Sequence, residues 1–534
     1  MVKESLPLNA RITILVVAFL GWFFGGMQIG MTNLINDATK YLIIESGWSD
    51  KLNPEQLKNL ISDWWAYQQC AFLFGAAAGG YIFGKLGDRI GRTRTLGISI
   101  LWFSVITALA FFVKDPLQLL CIRFLACLGI GGCWPNGVAL VSEAWSKIAR
   151  PVMASLIGMA GNIGIFTFAT MMAKNPADAE SFRGVFLIGA YSVPLGLIIL
   201  LFVRESPTWI VSKTQDNEEK AEKSISPSIK SGFSNYFNFS GRASRSEYWY
   251  WNLFVVLISI IETVVGGTGI ITMLVLFIPG LAVFWRRMHD LDKSGAWFFI
   301  ALTGIGGLVL LVWACTKGTS GANRFGPDSL GSDDPAPPSV FKKPYLGVTL
   351  IGIILATVPL LGGWGCFAWI IPWASEIGSP ELKSQILQTR SIASIIGSGL
   401  AAIIALKIGR RSCYFVSCLF ALIISQYIFW FASPTDSNFL IFVTLWGFFN
   451  GIFFGWLPFF LPELFETKIR ATGAGVSFNY GRILTAATIF ITPWLKAMFD
   501  GNHAQVGQIT SLIFILGMIA VILAPDTSKR DMNK

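Results

Sequence analysis

The chain has 534 residues, 53% of them hydrophobic and only 13% charged, with a mean hydropathy of +0.60. Charged residues make up about a quarter of a soluble protein, so a soluble globular chain is excluded and a polytopic membrane protein is indicated. The net charge of +10 invites a nucleic-acid reading, but the basic residues sit in short loops on alternate sides of apolar runs, which orientation in a membrane explains.

In chain order, residues 1–11 are polar, and the first apolar run, about 12–33, is too long for a signal core. It reads as a first span, with no cleavable leader expected. Further spans fall at roughly 62–83, 95–113, 117–141, 151–173 and 184–203. A second set falls at roughly 345–370, 385–405, 413–432, 438–461, 471–495 and 506–524. At about 1.5 Å per residue such runs are long enough to cross a bilayer. The fold class expected is therefore an all-α membrane protein: a six-helix bundle at 1–205, another at 344–534, and an insert at 206–343. Lys147, Arg150, Lys407, Arg410, Arg411, Lys468 and Arg470 all follow even-numbered spans, which places both termini in the cytoplasm. Between the second and third spans, 84–94 reads as a tight basic loop, with Asp88 fixed among Arg89 and Arg92 and with Gly84, Gly87 and Gly91 around it.

The halves repeat. Glu143 precedes Arg150 by seven residues, and Glu463 precedes Arg470 by the same seven. Gly91 lies 59 residues before Arg150, and Gly409 lies 61 before Arg470. The first half ends Arg-Glu-Ser-Pro at 204–207; the second ends Ala-Pro-Asp-Thr at 524–527. Parallel repeats of this kind place a binding site between them at mid-membrane.

The insert opens and closes on flexible linkers and holds three apolar runs, 251–265, 270–285 and 296–315. It must cross an even number of times, since the sixth span ends where the seventh begins. The first two runs form a hairpin in this reading, and the third lies in the interface or re-enters without crossing. The phrases at 239–249, 286–290 (Arg-Arg-Met-His-Asp) and 323–326 (Asn-Arg-Phe-Gly) resemble a small bacterial inner-membrane family of unknown function, the YhaH type. His289 in that setting reads as structural.

Eight cysteines are scattered in or beside apolar runs and only two histidines are present, so disulfide frameworks and metal sites are not expected. No cofactor is expected either. Neither a catalytic triad nor a nucleotide-binding loop appears, which argues against an enzyme.

Polar groups at bilayer depth cost several kcal/mol unless paired, so they are candidates for substrate contact. Arg482 lies about 11 residues into the eleventh span, roughly 17 Å deep. No carboxylate of the core spans sits at its depth, and a guanidinium in a midplane cavity suits a carboxylate ligand. Asn162 is its counterpart in the first half. Asn450, Asn479, Gln28, Gln68, Gln69, Arg123, Gln388 and Trp364 complete the candidate set, with Trp369 and Trp373 as weaker aromatic candidates. For Arg482 a structural or gating role is the alternative to anion recognition; for Asn162 and Asn450, helix-to-helix hydrogen bonding is an equal alternative, and for Arg123 helix packing is favoured.

The 84–94 segment resembles the signature loop of the major facilitator superfamily. The stretch 461–482 resembles the span 10–11 signature of sialate:proton and related metabolite:proton symporters, and Glu-Ser-Pro at 205–207 is similar to the sugar and metabolite porters. The resemblance implies the major facilitator fold in a bacterial inner membrane, and alternating-access uptake of a small organic anion, a sugar acid such as sialic acid being the first expectation. It also implies an inner gate in which Gly84, Gly87, Asp88, Arg89, Gly91, Arg92, Glu143, Arg150, Glu205, Arg410, Glu463 and Arg470 take part. In one respect the sequence departs from those relatives: span 1 carries Gly25 and Gln28 where they carry aspartates, so the usual proton carrier is missing. A gate carboxylate such as Glu143 or Glu205, a substrate-borne proton, or uniport are the alternatives. Expected partners are a small-molecule anion, protons and membrane lipid, with no nucleic acid; the insert is a candidate oligomer contact. Uniport of neutral sugars or other carboxylates, and nutrient sensing through the insert, are the competing functions.

Overall fold

A computed structural model describes residues 6–50, 52–145, 149–175, 177–219, 231–264, 270–303, 305–319, 321–327, 338–363, 367–377 and 380–527. These residues are overwhelmingly helical, and the single β pairing among them is an isolated bridge between Asn323 and Gly326. Span 1 is Leu8–Gly30, followed by a helix at Thr32–Glu45; span 2 is Pro54–Ile90, span 3 Arg92–Leu109, span 4 Pro116–Ala144 and span 5 Arg150–Lys174. Span 6 covers Phe182–Phe202. Span 7 comes in two pieces, Leu346–Leu361 and Phe367–Ile377; spans 8, 9 and 10 are Pro380–Ile408, Arg410–Phe431 and Phe439–Glu463. Span 11 is Arg470–Met498, and span 12 runs over His503–Leu523. Ten of these helices are both long and apolar enough to cross a membrane.

Two boundaries differ from expectation, each for a local reason. Span 2 begins at Pro54 because Asn53 caps it: its side chain accepts from the Gln56 N–H at 2.8 Å while the Gln56 amide oxygen accepts from the Asn53 N–H at 3.1 Å. At the other end, 84–94 is not a loop. The helix continues to Ile90 and a new one starts at Arg92, the whole reversal falling on Gly91 at φ 113°. That backbone conformation is open essentially to glycine alone. Gly84 and Gly87 lie inside the helix, where their missing side chains admit the backbone of Ala471 and Thr472 and the side chain of Asn136.

The chain divides into two compact units, Met1–Gln215 with Pro338–Lys534, and Asp216–Pro337. The insert is therefore about ten residues shorter at its start than 206–343. The residues gained by the first unit are tied to it: the Ser206 hydroxyl donates to Glu143, and the Trp209 indole N–H donates to the Asp88 carbonyl at 3.0 Å. On the return, Phe341 packs on Tyr480 and Tyr81, with ring centroids 5.7 and 6.0 Å away.

In the first unit the two six-helix halves meet along spans 2 and 11, which run antiparallel. Gly84 faces Thr472, Gly80 faces Gly475 and Asn479, and further along Phe72 faces Arg482. A second seam joins span 5 to spans 8 and 10. There the Ser155 hydroxyl donates to the Ser398 carbonyl at 2.6 Å, and Gly158 lies against the backbone of Phe454 and Gly455. Small residues on these faces let helices approach to backbone contact.

The second unit contains the helices Arg245–Val264 and Ile270–Asp290, a 3-10 segment Gly295–Thr303 and a helix Ile305–Cys315. At roughly 1.5 Å per residue the first two reach about 30 Å each, a bilayer thickness, whereas the third apolar run is divided into two pieces, each too short to cross. The three phrases noted in its sequence converge. Arg242 donates to Asp290 at 3.0 Å, Arg287 to the same carboxylate at 2.5 Å, and Arg286 to Glu247 at 2.7 Å. His289 stacks on Phe325 at 3.8 Å.

Candidate functional site

At one end of the first unit, where spans 2 and 4 meet the start of span 11, buried charges from both halves form one network. Asp88 accepts from the N–H groups of Ala471 and Thr472 at 3.0 and 2.8 Å and from the Thr472 hydroxyl at 2.5 Å. These N–H groups open span 11 and have no partner within their own helix, so a carboxylate of one half caps a helix of the other. Arg92 holds Asp88 at 3.1 Å and Glu143 at 3.3 Å, and its Nη2 donates to the Thr467 carbonyl at 2.5 Å. Glu143 also takes Arg470 at 2.8 Å. Glu205 accepts from the backbone N–H of Arg92 at 2.9 Å and of Thr93 at 3.1 Å, in the space beside Gly91.

The repeat read from the sequence is matched by geometry. In the second half Arg410, also just after a positive-φ glycine (Gly409), makes a two-pronged pair with Glu463 at 2.8 and 2.9 Å, and Thr527 donates to Glu463 at 2.5 Å. Arg92, Glu143 and Ser206 are the corresponding trio. The copies differ in one respect. Glu143 is shared across the halves through Arg470, whereas the bonds found to Glu463 come from its own half. Arg150 is buried in the first turn of span 5, and Arg89 is half-buried at the end of span 2.

Farther into the bundle lies a stack of alternating rings and guanidinium groups. Trp134 and Phe478 are stacked 4.1 Å apart; Arg482 lies 5.4 Å from the Phe478 ring and 5.0 Å from the Phe72 ring; Arg123 lies 5.1 Å from the same Phe72 ring. Arg482 is 4% exposed and its Nη1 has no hydrogen-bond partner. Arg123 donates to the Gln28 carbonyl at 3.2 Å and to the Thr32 hydroxyl at 3.4 Å. Among the described residues neither arginine forms an ion pair. Two buried cations around one ring repel each other in a low-dielectric interior, and an anion between them would relieve both.

The amides expected to meet a substrate are mostly engaged elsewhere. Asn479 donates to the Gly131 carbonyl at 3.1 Å and to Gly475 at 3.0 Å; Asn162 donates to Ser398 at 3.0 Å; the Gln28 side chain accepts from Thr107 at 2.9 Å; Gln68 donates to the Pro116 carbonyl at 3.5 Å. Gln69 and Asn450 are buried, the latter with an unpartnered Oδ1, and Gln388 is exposed. Trp364 lies outside the described residues. Trp373 packs on Phe429 and Phe439, and Trp369 lies near His503, so both belong to the aromatic packing of the second half. Sequence reasoning missed Phe72, Phe478, Trp134, Thr467 and Thr472. Their only signal was position on spans 2, 4 and 11 at helical spacing from residues already singled out or, for Thr467, in the 3-10 turn just before span 11.

Residues 236–327 match the family model "Protein of unknown function (DUF805)". The same region is 46% identical over 105 residues to the inner membrane protein YhaI of Escherichia coli, covering 18% of this chain and 87% of that protein. Over nearly the full length the chain is similar to the niacin transporter NiaP of Acinetobacter baylyi, at 22% identity over 537 residues, 99% of this chain and 98% of that one. Among solved structures it resembles the major facilitator superfamily proton:xylose symporter XylE bound to 6-bromo-6-deoxy-D-glucose, with a TM-score of 0.60, 15% identity and 98% of both chains covered. Residues 236–327 therefore belong to the DUF805 family, and the chain has the all-α major facilitator fold.

Proposed function

We propose that the chain is a secondary transporter that moves a small organic anion across a bacterial inner membrane by alternating access. The stack of Phe478, Arg482, Phe72 and Arg123 carries this reading: two buried guanidinium groups without a carboxylate partner among the described residues, walled by aromatic rings. A carboxylate bonded by Arg482 is recognised through charge-assisted bonds, and rings on either side favour a flat ligand. Because the nearby amides are mostly engaged with neighbouring helices, the setting offers little to sugar hydroxyls. An aromatic monocarboxylate therefore ranks above a sugar acid such as sialic acid, and the full-length similarity to a niacin transporter supports the same order. In this reading the Asp88, Arg92, Glu143 and Arg470 network is the closed inner gate, with Glu205 as its brace; Arg410 and Glu463 stiffen the second half. Separation of the halves at this end would let water in to solvate the charges, the step that alternates access. Proton coupling is part of the proposal, with Glu143 or the substrate as carrier, since the span 1 aspartates of related symporters are missing.

The test is uptake into proteoliposomes of labelled nicotinate, benzoate, N-acetylneuraminate and glucose, with and without an imposed proton gradient. Nicotinate or benzoate should enter, with gradient-driven accumulation, and Arg482→Ala should lower uptake by about 100-fold, equivalent to roughly 3 kcal/mol for an unpaired buried charge. Entry of glucose alone, or uptake indifferent to Arg482→Ala, would refute anion recognition. Equilibration without accumulation would replace symport by uniport.

A further inference from the structure

The insert contains a cavity of about 400 Å³ in the seam between Arg245–Val264 and Ile270–Asp290, closed on one side by Phe298. Its size falls in the range of small-molecule sites, and its walls are apolar and aromatic. Tyr248, Trp251 and Ser259 face it from the first helix at spacings of three and eight residues; Gly280 and Phe284 face it from the second. The seam is unfilled there because Ser259 and Gly280 are small where facing helices usually interlock larger side chains.

One wall is out of keeping with a gap left by poor packing. Trp251 is 1% exposed, yet its indole N–H has no hydrogen-bond partner. The benzene side of the indole lies against Gly232 and Phe233, the Phe233 centroid being 5.1 Å away. Its N–H edge turns toward Gly280: a Cβ placed there would lie 3.4 Å from Nε1. Both residues line the cavity, so the buried donor lies in its wall beside the gap at Gly280. A buried donor left unmet costs a full desolvation penalty, which a bound acceptor removes. Three other polar walls are already engaged: Ser259 donates to the Val255 carbonyl at 2.9 Å, Asn252 to the Tyr248 carbonyl at 2.8 Å, and Thr272 to Glu262 at 2.5 Å.

The geometry points to a ligand site in this cavity for an apolar molecule carrying a single carbonyl-type oxygen, which accepts from the Trp251 N–H. Two sources share that chemistry: the ester carbonyl and first chain segment of a membrane lipid, and a free apolar ketone or quinone.

Benzophenone, an apolar ketone that crosslinks on illumination, is a direct probe of the full-length protein in detergent. Adducts on peptides covering 245–298 should be abundant in the wild type. They should fall about five-fold in Trp251→Phe, which keeps the ring and removes one hydrogen bond, and should be nearly lost in Gly280→Leu, which fills the cavity. Ser259→Leu fills it from the opposite helix and guards against misfolding of one variant; each variant is compared at matched melting temperature and elution volume. Suppression of the adducts by dioleoylphosphatidylethanolamine assigns the lipid source. Suppression by 2-undecanone and not by the lipid assigns a free apolar molecule. Equal labelling of wild type, Gly280→Leu and Ser259→Leu, or labelling that neither competitor suppresses, overturns the site.

Discussion

At the scale of single residues, charge placement separates two carboxylates that the sequence presents as equivalents. Glu143 takes Arg92 from its own half and Arg470 from the other, while Glu463 takes Arg410 within its half. Removing either charge leaves a buried guanidinium short of a partner, a loss on the order of 3 kcal/mol. In Glu143→Gln that loss falls on the contact between the halves that is proposed as the closed gate, and the molecule would escape it by opening. In Glu463→Gln it falls on the second half alone. Spin labels at Lys85→Cys and Lys468→Cys, both exposed, on a background lacking the exposed Cys121 and Cys315, report the difference. Their separation should widen in Glu143→Gln and stay unchanged in Glu463→Gln, which should instead melt at a lower temperature. An unchanged distance in both variants would refute the gate assignment of Glu143.

Among elements, the joint between spans 2 and 3 and its repeat between spans 8 and 9 pose a comparison. Gly91 and Gly409 have φ of 113° and 92°. A side chain at either costs roughly 1–3 kcal/mol in backbone strain. At Gly91 the new methyl group also meets the Glu205 carboxylate, whereas at Gly409 its nearest neighbour is Ser412 Oγ at 3.8 Å. Displacing Glu205 would strip the first N–H groups of span 3 of their acceptor, adding about 1–3 kcal/mol. Gly91→Ala should therefore lower the melting temperature of the purified protein clearly more than Gly409→Ala. Equal shifts would mean that Glu205 contributes nothing to the joint.

Considered whole, the molecule has a body whose halves are joined by interdigitating polar and small-residue contacts, and an insert with a separate buried ionic knot around Asp290. The insert leaves the body after Gln215 and returns at Pro338. With spans 6 and 7 both meeting the cytoplasm in the proposed orientation, the insert crosses twice and its third apolar run stays on the starting side. An epitope tag placed after residue 316 should be reached by antibody only once the inner membrane is opened. Labelling in spheroplasts with an intact membrane would overturn that topology.

The sequence by itself determined the architecture. Runs of apolar residues long enough for a bilayer mark the spans, because lipid admits only helices with every backbone group bonded internally. The equal spacings from Glu143 to Arg150 and from Glu463 to Arg470 exposed the repeat, and the phrases around Arg242, Arg287 and Asn323 marked the insert. The depth of Arg482 followed from the helical rise alone. Tertiary structure decided what these residues touch. A spacing of seven positions from a glutamate to an arginine says nothing about which half the arginine pairs with, and Arg470 crosses over to Glu143. The glycines of 84–94 read as a loop, yet only the approach of span 11 to Gly84 and of Asn136 on span 4 to Gly87 shows that two of them are helical contact points. Phe72 and Phe478 are ordinary apolar residues of their spans until folding stacks them on Arg482. Periodicity fixes which residues share a helix face; the neighbour that face meets depends on how the helices pack.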